Sequence, residues 1–537
     1  MKQELKNPLL PGFYPDPSIC RVEDDFYMVT SSFSYYPGVP IFHSRDLVHW
    51  KQIGHVLDRP EQLQVGTENI SGGIYAPTIR YHDGIFYMIT TNTTGKGNFI
   101  VTAEKPEGPW SDPHWIEGAQ GIDPSLFWDD DGRVYITATA PPRPGTDDKQ
   151  KIWLSEIDLT EFKLVGEKIM AWGGSLAEPA WPEAPHIYKI NGYYYLMIAE
   201  GGTEHFHSES IARAEHVRGP YQSYRGNPIL TQRHLGMKAA IANTGHADLV
   251  ELKDGSWYMV FLASRPYGGY HKNLGRETFI APVEWEEGWP VVSPSTGSIQ
   301  FTYEGPDLPT YQVDATPVKD DFDGEKLDYI WNYLGTPDQD TCKIEDGCLK
   351  IRCNKKSLSG KQIHSFDENE SQALGFLGRR QQHLSFEASA HLCFDPKGEQ
   401  TAGLVALQHG YHQLRVELGK NSSGETVVRA VQGYASLELS LLHKKDEDTY
   451  KENVLNEIPW SEKEAVLVIR AKEQDYTLAV RNTAGEETEL VTANGGFLGS
   501  ETAGGFVGAY IGMFASGNGK AYDTYASFDW FSYEGVE

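Results

Sequence analysis

Three carboxylates and a histidine sit at, or one residue before, the start of a recurring pattern in this chain. The pattern starts at an X-Pro step, passes a tight turn and ends in an aromatic, β-branched stretch. Asp16 opens one copy in Asp16-Pro17-Ser18-Ile19, and Asp123 opens another in Asp123-Pro124-Ser125-Leu126. Glu183 immediately precedes Ala184-Pro185-His186-Ile187, His246 precedes Ala247-Asp248-Leu249-Val250, and Tyr75 precedes Ala76-Pro77-Thr78-Ile79. If the copies surround one axis, these side chains converge. Clustered carboxylates are what glycoside hydrolysis needs: one stays protonated to donate to the leaving oxygen, and another is ionised to activate water or attack carbon. A third negative charge beside the donor raises its pKa by disfavouring its ionisation.

Each residue has a plainer reading. Asp before Pro is a common turn, so Asp16 and Asp123 could simply accept backbone N–H groups at strand starts. That accounts poorly for three acids in three copies with no matching acid in the other two. His246 reads first as a polar residue of a channel floor, and otherwise as a ligand to a cation or water on the axis, although one His gives no metal-site spacing. Arg276, in Leu274-Gly275-Arg276-Glu277-Thr278, suits a sugar hydroxyl or an acid partner equally well. The run Asp129-Asp130-Asp131 reads as a solvated turn.

The elements that must hold these groups follow from the repeat. Asp83-Gly84, Asp131-Gly132, Asn191-Gly192 and Asp254-Gly255 lie between β-rich runs, and such dipeptides tolerate the positive φ of tight hairpins. The tyrosines Tyr27, Tyr87, Tyr135, Tyr195 and Tyr258 recur at intervals of 60, 48, 60 and 63 residues. That leaves room for about four strands per copy, one propeller blade. Five copies predict a five-bladed β-propeller. A sandwich of unrelated hairpins would leave the repeated X-Pro start unexplained.

Beyond Pro294 the texture changes. Tyr303 to Pro309 reads as a linker, followed by alternating strands at Cys348–Arg352, Leu384–Ala388, Gln413–Glu417, Ala465–Ile469 and a closing Ala526–Phe531. The expectation is an all-β protein: a propeller over 1–305, a linker over 306–318, and an antiparallel jelly-roll sandwich of the concanavalin A type over 319–537.

Composition narrows the partners. Lys and Arg number 47 against 75 Asp and Glu, a net charge of −28 over 537 residues, so phosphate backbones and anionic lipid are repelled. No nucleic-acid or membrane partner is expected, and no apolar run is long enough for a spanning helix. Five cysteines, odd in number and without zinc spacing at Cys342, Cys348 and Cys353, read as free thiols. No apolar signal core precedes Pro8, so a cytoplasmic setting is expected, with a trimmed extracellular chain as the alternative. The oligomeric state is left open, a homo-oligomer included. Aromatic residues make up 12% of the chain, which suits both pleated strands and a surface that stacks on pyranose rings.

Taken together, these segments resemble glycoside hydrolase family 43. The resemblance runs through Tyr14-Pro15-Asp16-Pro17-Ser18, Phe42 to Trp50, Ser71 to Pro77, Gly121 to Ser125, Pro182 to His186, Ala199 to Thr203, Gly245 to Asp248 and Leu274 to Thr278. Phe506-Val507-Gly508-Ala509-Tyr510 is similar to the β-xylosidase branch. The resemblance implies Asp16 as general base, Glu183 as general acid, and Asp123 as the residue that tunes and orients the acid, in a single inverting displacement. It further implies Arg276 as a substrate contact, Phe33 as a ring against the sugar, and His246 as a channel residue that approaches calcium or water in some members. Phe506 is implied as the sandwich aromatic that closes the pocket, with Tyr510 as the alternative. The chain departs from the family at Tyr75, where relatives often carry Trp or Phe. The ring keeps its stacking face and gains a hydroxyl, which bears on subsite preference.

The expected activity is exo-removal of xylose from xylo-oligosaccharides or oligosaccharides derived from arabinoxylan, with arabinofuranoside cleavage beside it. The alternatives are a predominant α-L-arabinofuranosidase, a non-catalytic five-bladed lectin, and an endo-arabinanase, which generally needs an open groove. No organic cofactor is expected, and a structural or channel calcium is the only metal the resemblance suggests.

Overall fold

The computed structural model describes residues 3–140, 150–177, 181–358, 373–435 and 450–536. Each of the five sequence copies folds into a four-stranded antiparallel sheet. Their first strands are Ser18–Val22, Thr78–His82, Ser125–Trp128, Glu183–Ile190 and Ala242–Glu251. Each abuts the first strand of the next copy, and the fifth returns to the first, so the ring closes. The expected hairpins form: Asp83 and Gly84 have φ of 47° and 86°, and Asn191 and Gly192 have 51° and 83°. All five repeated tyrosines lie on second strands.

The ring is tied at its ends. Glu4–Lys6 pairs antiparallel with Thr302–Glu304. Next to that pair, the Asn7 amide donates to the Ile280 carbonyl at 2.8 Å and accepts from the Ile280 N–H at 2.9 Å, extending the fifth blade's edge.

A buried charge network crosses the channel between the first strands. Both terminal nitrogens of Arg80 reach Asp248, at 2.8 and 3.1 Å, and one lies 3.0 Å from His186 Nδ1. Ser18 and Tyr188 also donate to Asp248, at 2.7 and 2.6 Å. Burial opposes ionisation of Asp248, but Arg80 and these donors outweigh it and hold the carboxyl well below its usual range. Asp248→Ala leaves a largely buried guanidinium unpaired. We expect it to lose about 3–5 kcal/mol of unfolding free energy in urea titrations. A loss under 1 kcal/mol would mean that water replaces the carboxylate at little cost.

One expectation needs correction. Asp129 opens the expected turn, but its side chain is not solvated. It accepts from Lys189 Nζ at 2.7 Å and from Tyr194 Oη at 2.8 Å, tying the third copy to the fourth. Its neighbour Asp130 is 83% exposed, as the charge run suggested.

The second body is a sandwich of an eight-stranded and a six-stranded sheet. Its core includes Leu392, Leu404, Val416, Leu467, Ile469, Met513 and Phe528. Tyr525–Gly535 does not close the fold at an edge. It runs inside the larger sheet, between Cys348–Arg352 and Ser385–Cys393.

The two bodies share one apolar cluster. Phe13, Phe33, Tyr35 and Ile70 pack with Leu334, Phe376, Leu407, Val507 and Tyr510. Tyr35 and Tyr510 stack at 3.8 Å and 10°, and Tyr35–Tyr36 pairs with Tyr333–Leu334 as a two-stranded ribbon. Buried Arg380 donates to the Phe13 carbonyl at 2.6 Å and lies 4.2 Å over the Tyr14 ring. Because Phe33 belongs to this shared cluster, the wall of the neighbouring cleft is set by both bodies.

Candidate active site

The X-Pro step that marked the repeats is also where the backbone is unusual. Asp16, Asp123 and Ala184 hold φ of 57°, 55° and 51°, and His246 holds 55°. Left-handed backbone at a non-glycine residue costs on the order of 1–3 kcal/mol, and here it recurs on or just before the inner strands of four of the five blades. Bulges follow at Glu183/His186 and around Gly245, and these re-aim the neighbouring side chains.

Asp16, Asp123 and Glu183 come together close enough to act on one another's ionisation. Asp16 is buried, with both oxygens occupied: Arg276 Nη1 donates to Oδ1 at 2.6 Å and Ser31 Oγ to Oδ2 at 2.5 Å. His246 Nδ1 lies 3.7 Å from Oδ1. Burial disfavours the charge of Asp16, yet Arg276, His246 and the Ser31 hydroxyl prevail and hold its pKa below the usual value.

Glu183 behaves oppositely. Burial, then the charge of Asp16, raise it to about 7 against the pull of Arg276. Asp123 is raised as well, by burial first and then by Glu183 and Asp16, while the Ala184 N–H bonded to its carboxylate works the other way. Asp123 and Glu183 therefore titrate as a pair that keeps protons above the ordinary carboxylate range. The N–H from Ala184 also anchors the start of the Glu183 strand to Asp123.

Aromatic rings wall this group of acids. Phe33 lies 5.1 Å from Tyr75 and 6.4 Å from Phe506, and the Arg276 guanidinium sits 5.5 Å over Phe33 and 5.9 Å over Phe506. Tyr75 donates its hydroxyl to the Ser71 carbonyl at 3.1 Å, so that polar tip is already engaged. Phe506 comes from the sandwich and is 42% exposed, whereas Tyr510 is fully buried against Tyr35. Of the two aromatics left open by sequence, Phe506 faces the acids' cleft.

Phe506 is held there by backbone. Its N–H donates to Ser71 Oγ at 2.9 Å, its carbonyl accepts from Arg276 at 3.2 Å, and the Ala509 N–H reaches the Asn273 carbonyl at 2.8 Å. A Cβ on Gly508 would stand 2.6 Å from the Leu274 carbonyl, so only glycine lets the two chains approach this closely. Arg276 resolves toward the acid-pairing reading, while remaining at the cleft.

His246 lies beneath, with its pKa lowered by burial despite Asp16. Among the described residues, its surroundings do not form a calcium cage, which needs six to eight oxygens. The Asp16 oxygens are taken by Arg276 and Ser31, Asp248 is taken by Arg80, Glu209 accepts the backbone N–H groups of His246 and Ala247, and the ring of His207 lies alongside.

Sequence reasoning missed His207, which is buried, held at Asn243 O at 2.9 Å and pushed down to about 3 by burial. Nothing in the repeat marks it, because it lies just outside the third strand of its blade. It also missed Arg80 and Asp248, for which a signal existed. Asp248 stands where the other four copies carry Pro17, Pro77, Pro124 and Pro185, and Arg80 stands where they carry Cys20, Phe127, Tyr188 and Glu251.

Residues 5–290 match glycosyl hydrolases family 43, and residues 319–534 match the beta xylosidase C-terminal concanavalin A-like domain. The chain is 41% identical to a xylosidase/arabinosidase of Butyrivibrio fibrisolvens, over 99% of both chains. It is also 41% identical to a non-reducing end alpha-L-arabinofuranosidase of Bacteroides ovatus, over 99% of this chain and 95% of that one. Among solved structures it resembles xylan beta-1,4-xylosidase from Bacillus halodurans, with a TM-score of 0.89 and 34% identity over 99% and 100% of the two chains. The ring of four-stranded sheets and the appended sandwich thus belong to one described lineage, and the chain is a glycoside hydrolase of family 43.

Proposed function

We propose that this enzyme removes single xylose units from the non-reducing end of β-1,4-xylo-oligosaccharides with inversion, and also cleaves α-L-arabinofuranosides. The observation that carries the reading is the opposed ionisation of two carboxyls in one cleft. Against burial, Arg276, His246 and the Ser31 hydroxyl favour the charged form of Asp16, whereas burial and the charge of Asp16 raise Glu183 to about 7. Groups whose environments push their pKa values apart divide naturally into base and acid.

In the proposed step Asp16 takes a proton from water as the water oxygen bonds to the anomeric carbon. The bond from that carbon to the glycosidic oxygen breaks, and the oxygen takes the proton of Glu183. Asp123 positions Glu183 through the Ala184 N–H and shares its titration. Arg276 and Ser31 hold Asp16 with one face toward the water, and Phe33, Tyr75 and Phe506 receive the sugar faces. His246 supports Asp16 from below.

Time-resolved proton NMR on xylobiose and, separately, 4-nitrophenyl α-L-arabinofuranoside tests this. Early α-xylose from the β-linked disaccharide is expected, and early β-xylose would overturn the inverting assignment. The relative named as an arabinofuranosidase supports a second reading, in which arabinosides are the main substrate. Arabinoside cleavage with xylobiose left intact is its signature.

Phe506 supports exo action because it narrows the cleft beside the acids. Phe506→Ala is expected to raise KM for xylobiose about tenfold, equal to roughly 1.4 kcal/mol of lost ring contact, with little change in kcat. An unchanged KM and product pattern would reopen an endo-acting groove.

A further inference from the structure

The outer face of the sandwich carries a group of donors that glycoside hydrolysis does not use. Along Ser385–Cys393, Ala388, Ala390 and Leu392 face the core, and His391 and Cys393 therefore share the outward face two residues apart. Glu464 on the next strand is directly opposite Cys393. On the other side, Asp529 is skipped by the register between Leu392–Phe528 and His391–Trp530, a bulge that turns it toward His391.

One donor atom each from His391, Cys393 and Glu464 lies within 4.8 Å of the other two. His391 Nε2 is 3.4 Å from Glu464, and its Nδ1 is 3.2 Å from Asp529 Oδ2. A carboxylate on one imidazole nitrogen fixes the tautomer and presents the other nitrogen's lone pair, the arrangement found behind metal-bound histidines. The Trp530 ring stacks on His391 at 6.2 Å and 25°, further limiting its rotation. Cys393 is a free thiol.

We propose that His391 Nε2, Cys393 Sγ and a Glu464 oxygen form a three-ligand site for a divalent transition metal, with Asp529 as the residue that positions the imidazole. Thiolate, imidazole and carboxylate together suit zinc, and water completes the tetrahedron. A tetrahedral zinc places its donors roughly 3.3–3.8 Å apart, so closing the site takes side-chain movements of about 1 Å. Those are rotamer adjustments on a sheet surface. The bound ion would clamp Ser385–Cys393 to Glu464–Lys472. The site draws on residues 391, 393 and 464, which explains why the spacing of Cys342, Cys348 and Cys353 gave no hint of it.

The test uses full-length protein, reduced and treated with chelator, and Co²⁺ as the probe. One equivalent is expected to bind with a thiolate-to-cobalt charge-transfer band and tetrahedral ligand-field bands, both erased by added Zn²⁺. Cys393→Ser should abolish the charge-transfer band. His391→Gln, which leaves every thiol in place, should abolish stoichiometric binding. Asp529→Asn should weaken affinity about 10–100-fold while the band survives at saturation. All three should keep wild-type glycosidase activity, since His391, Cys393 and Asp529 make their contacts within the sandwich. Absence of the band in the wild type, or its persistence in Cys393→Ser, would overturn the proposal. Cobalt bound without thiolate character would place the ion at another site and would overturn it equally.

Discussion

Glu183→Ala is expected to lower kcat on xylobiose by about 10²–10⁴-fold, the usual contribution of a positioned general acid. A 4-nitrophenyl glycoside should lose far less, because its leaving oxygen departs without protonation. The pH profile carries the same information. Glu183 is raised to about 7 by burial and by Asp16, so wild-type kcat/KM should fall as pH climbs through about 7. On the activated substrate that falling limb should vanish in the variant. Stability gives an independent sign. Between the ordinary glutamate value of 4.5 and about 7, native Glu183 keeps a proton that the unfolded chain has released. The native state then binds more protons, so stability is lost as pH rises through that window. Glu183→Gln has no proton to lose, and its melting temperature should gain on the wild type from pH 5 to pH 8. A sugar-binding lectin would lose none of its affinity on the alanine change. Turnover of xylobiose within a few-fold of wild type would sink the assignment of Glu183 as acid.

Why the acids were legible in the sequence and their surroundings were not follows from how a propeller presents its residues. Symmetry makes the copies comparable, so an acid at one register point of some copies is a departure that needs a cause. Asp16, Asp123 and Glu183 were visible in that way. Four of the five hairpins were visible because Asp-Gly and Asn-Gly turns carry their own backbone requirement. Contacts between strands of different blades carry no local signature. The left-handed backbone at Asp16, Asp123 and Ala184 shows only in the folded ring. The pairing of Arg276 with Asp16 joins the first blade to the fifth across 260 positions. Asp129 shows the reverse error: a charge run looks solvated until Lys189 and Tyr194 of the next blade arrive. The choice between Phe506 and Tyr510 likewise rested on the docking of two bodies. Tyr510 is consumed by its stack on Tyr35, and Gly508 brings Phe506 to Arg276.

Asp16→Asn is expected to cut kcat by about 10²–10⁴-fold on every substrate, whatever its leaving group. Activation of water is needed whether or not the departing oxygen requires a proton. That indifference separates Asp16 from Glu183, whose loss should matter only for poor leaving groups. The change also removes a negative charge that raises Glu183 and frees Arg276, which lowers it. Both effects act in one direction, so the basic limb of the residual activity should move below about 7. A residue that merely shaped the strand start would reduce the rate without moving that limb. If the residual activity keeps the wild-type limb, Asp16 is not in electrostatic contact with the acid. If activated substrates retain their turnover, the base must be sought elsewhere, with Asp123 the remaining carboxylate in reach.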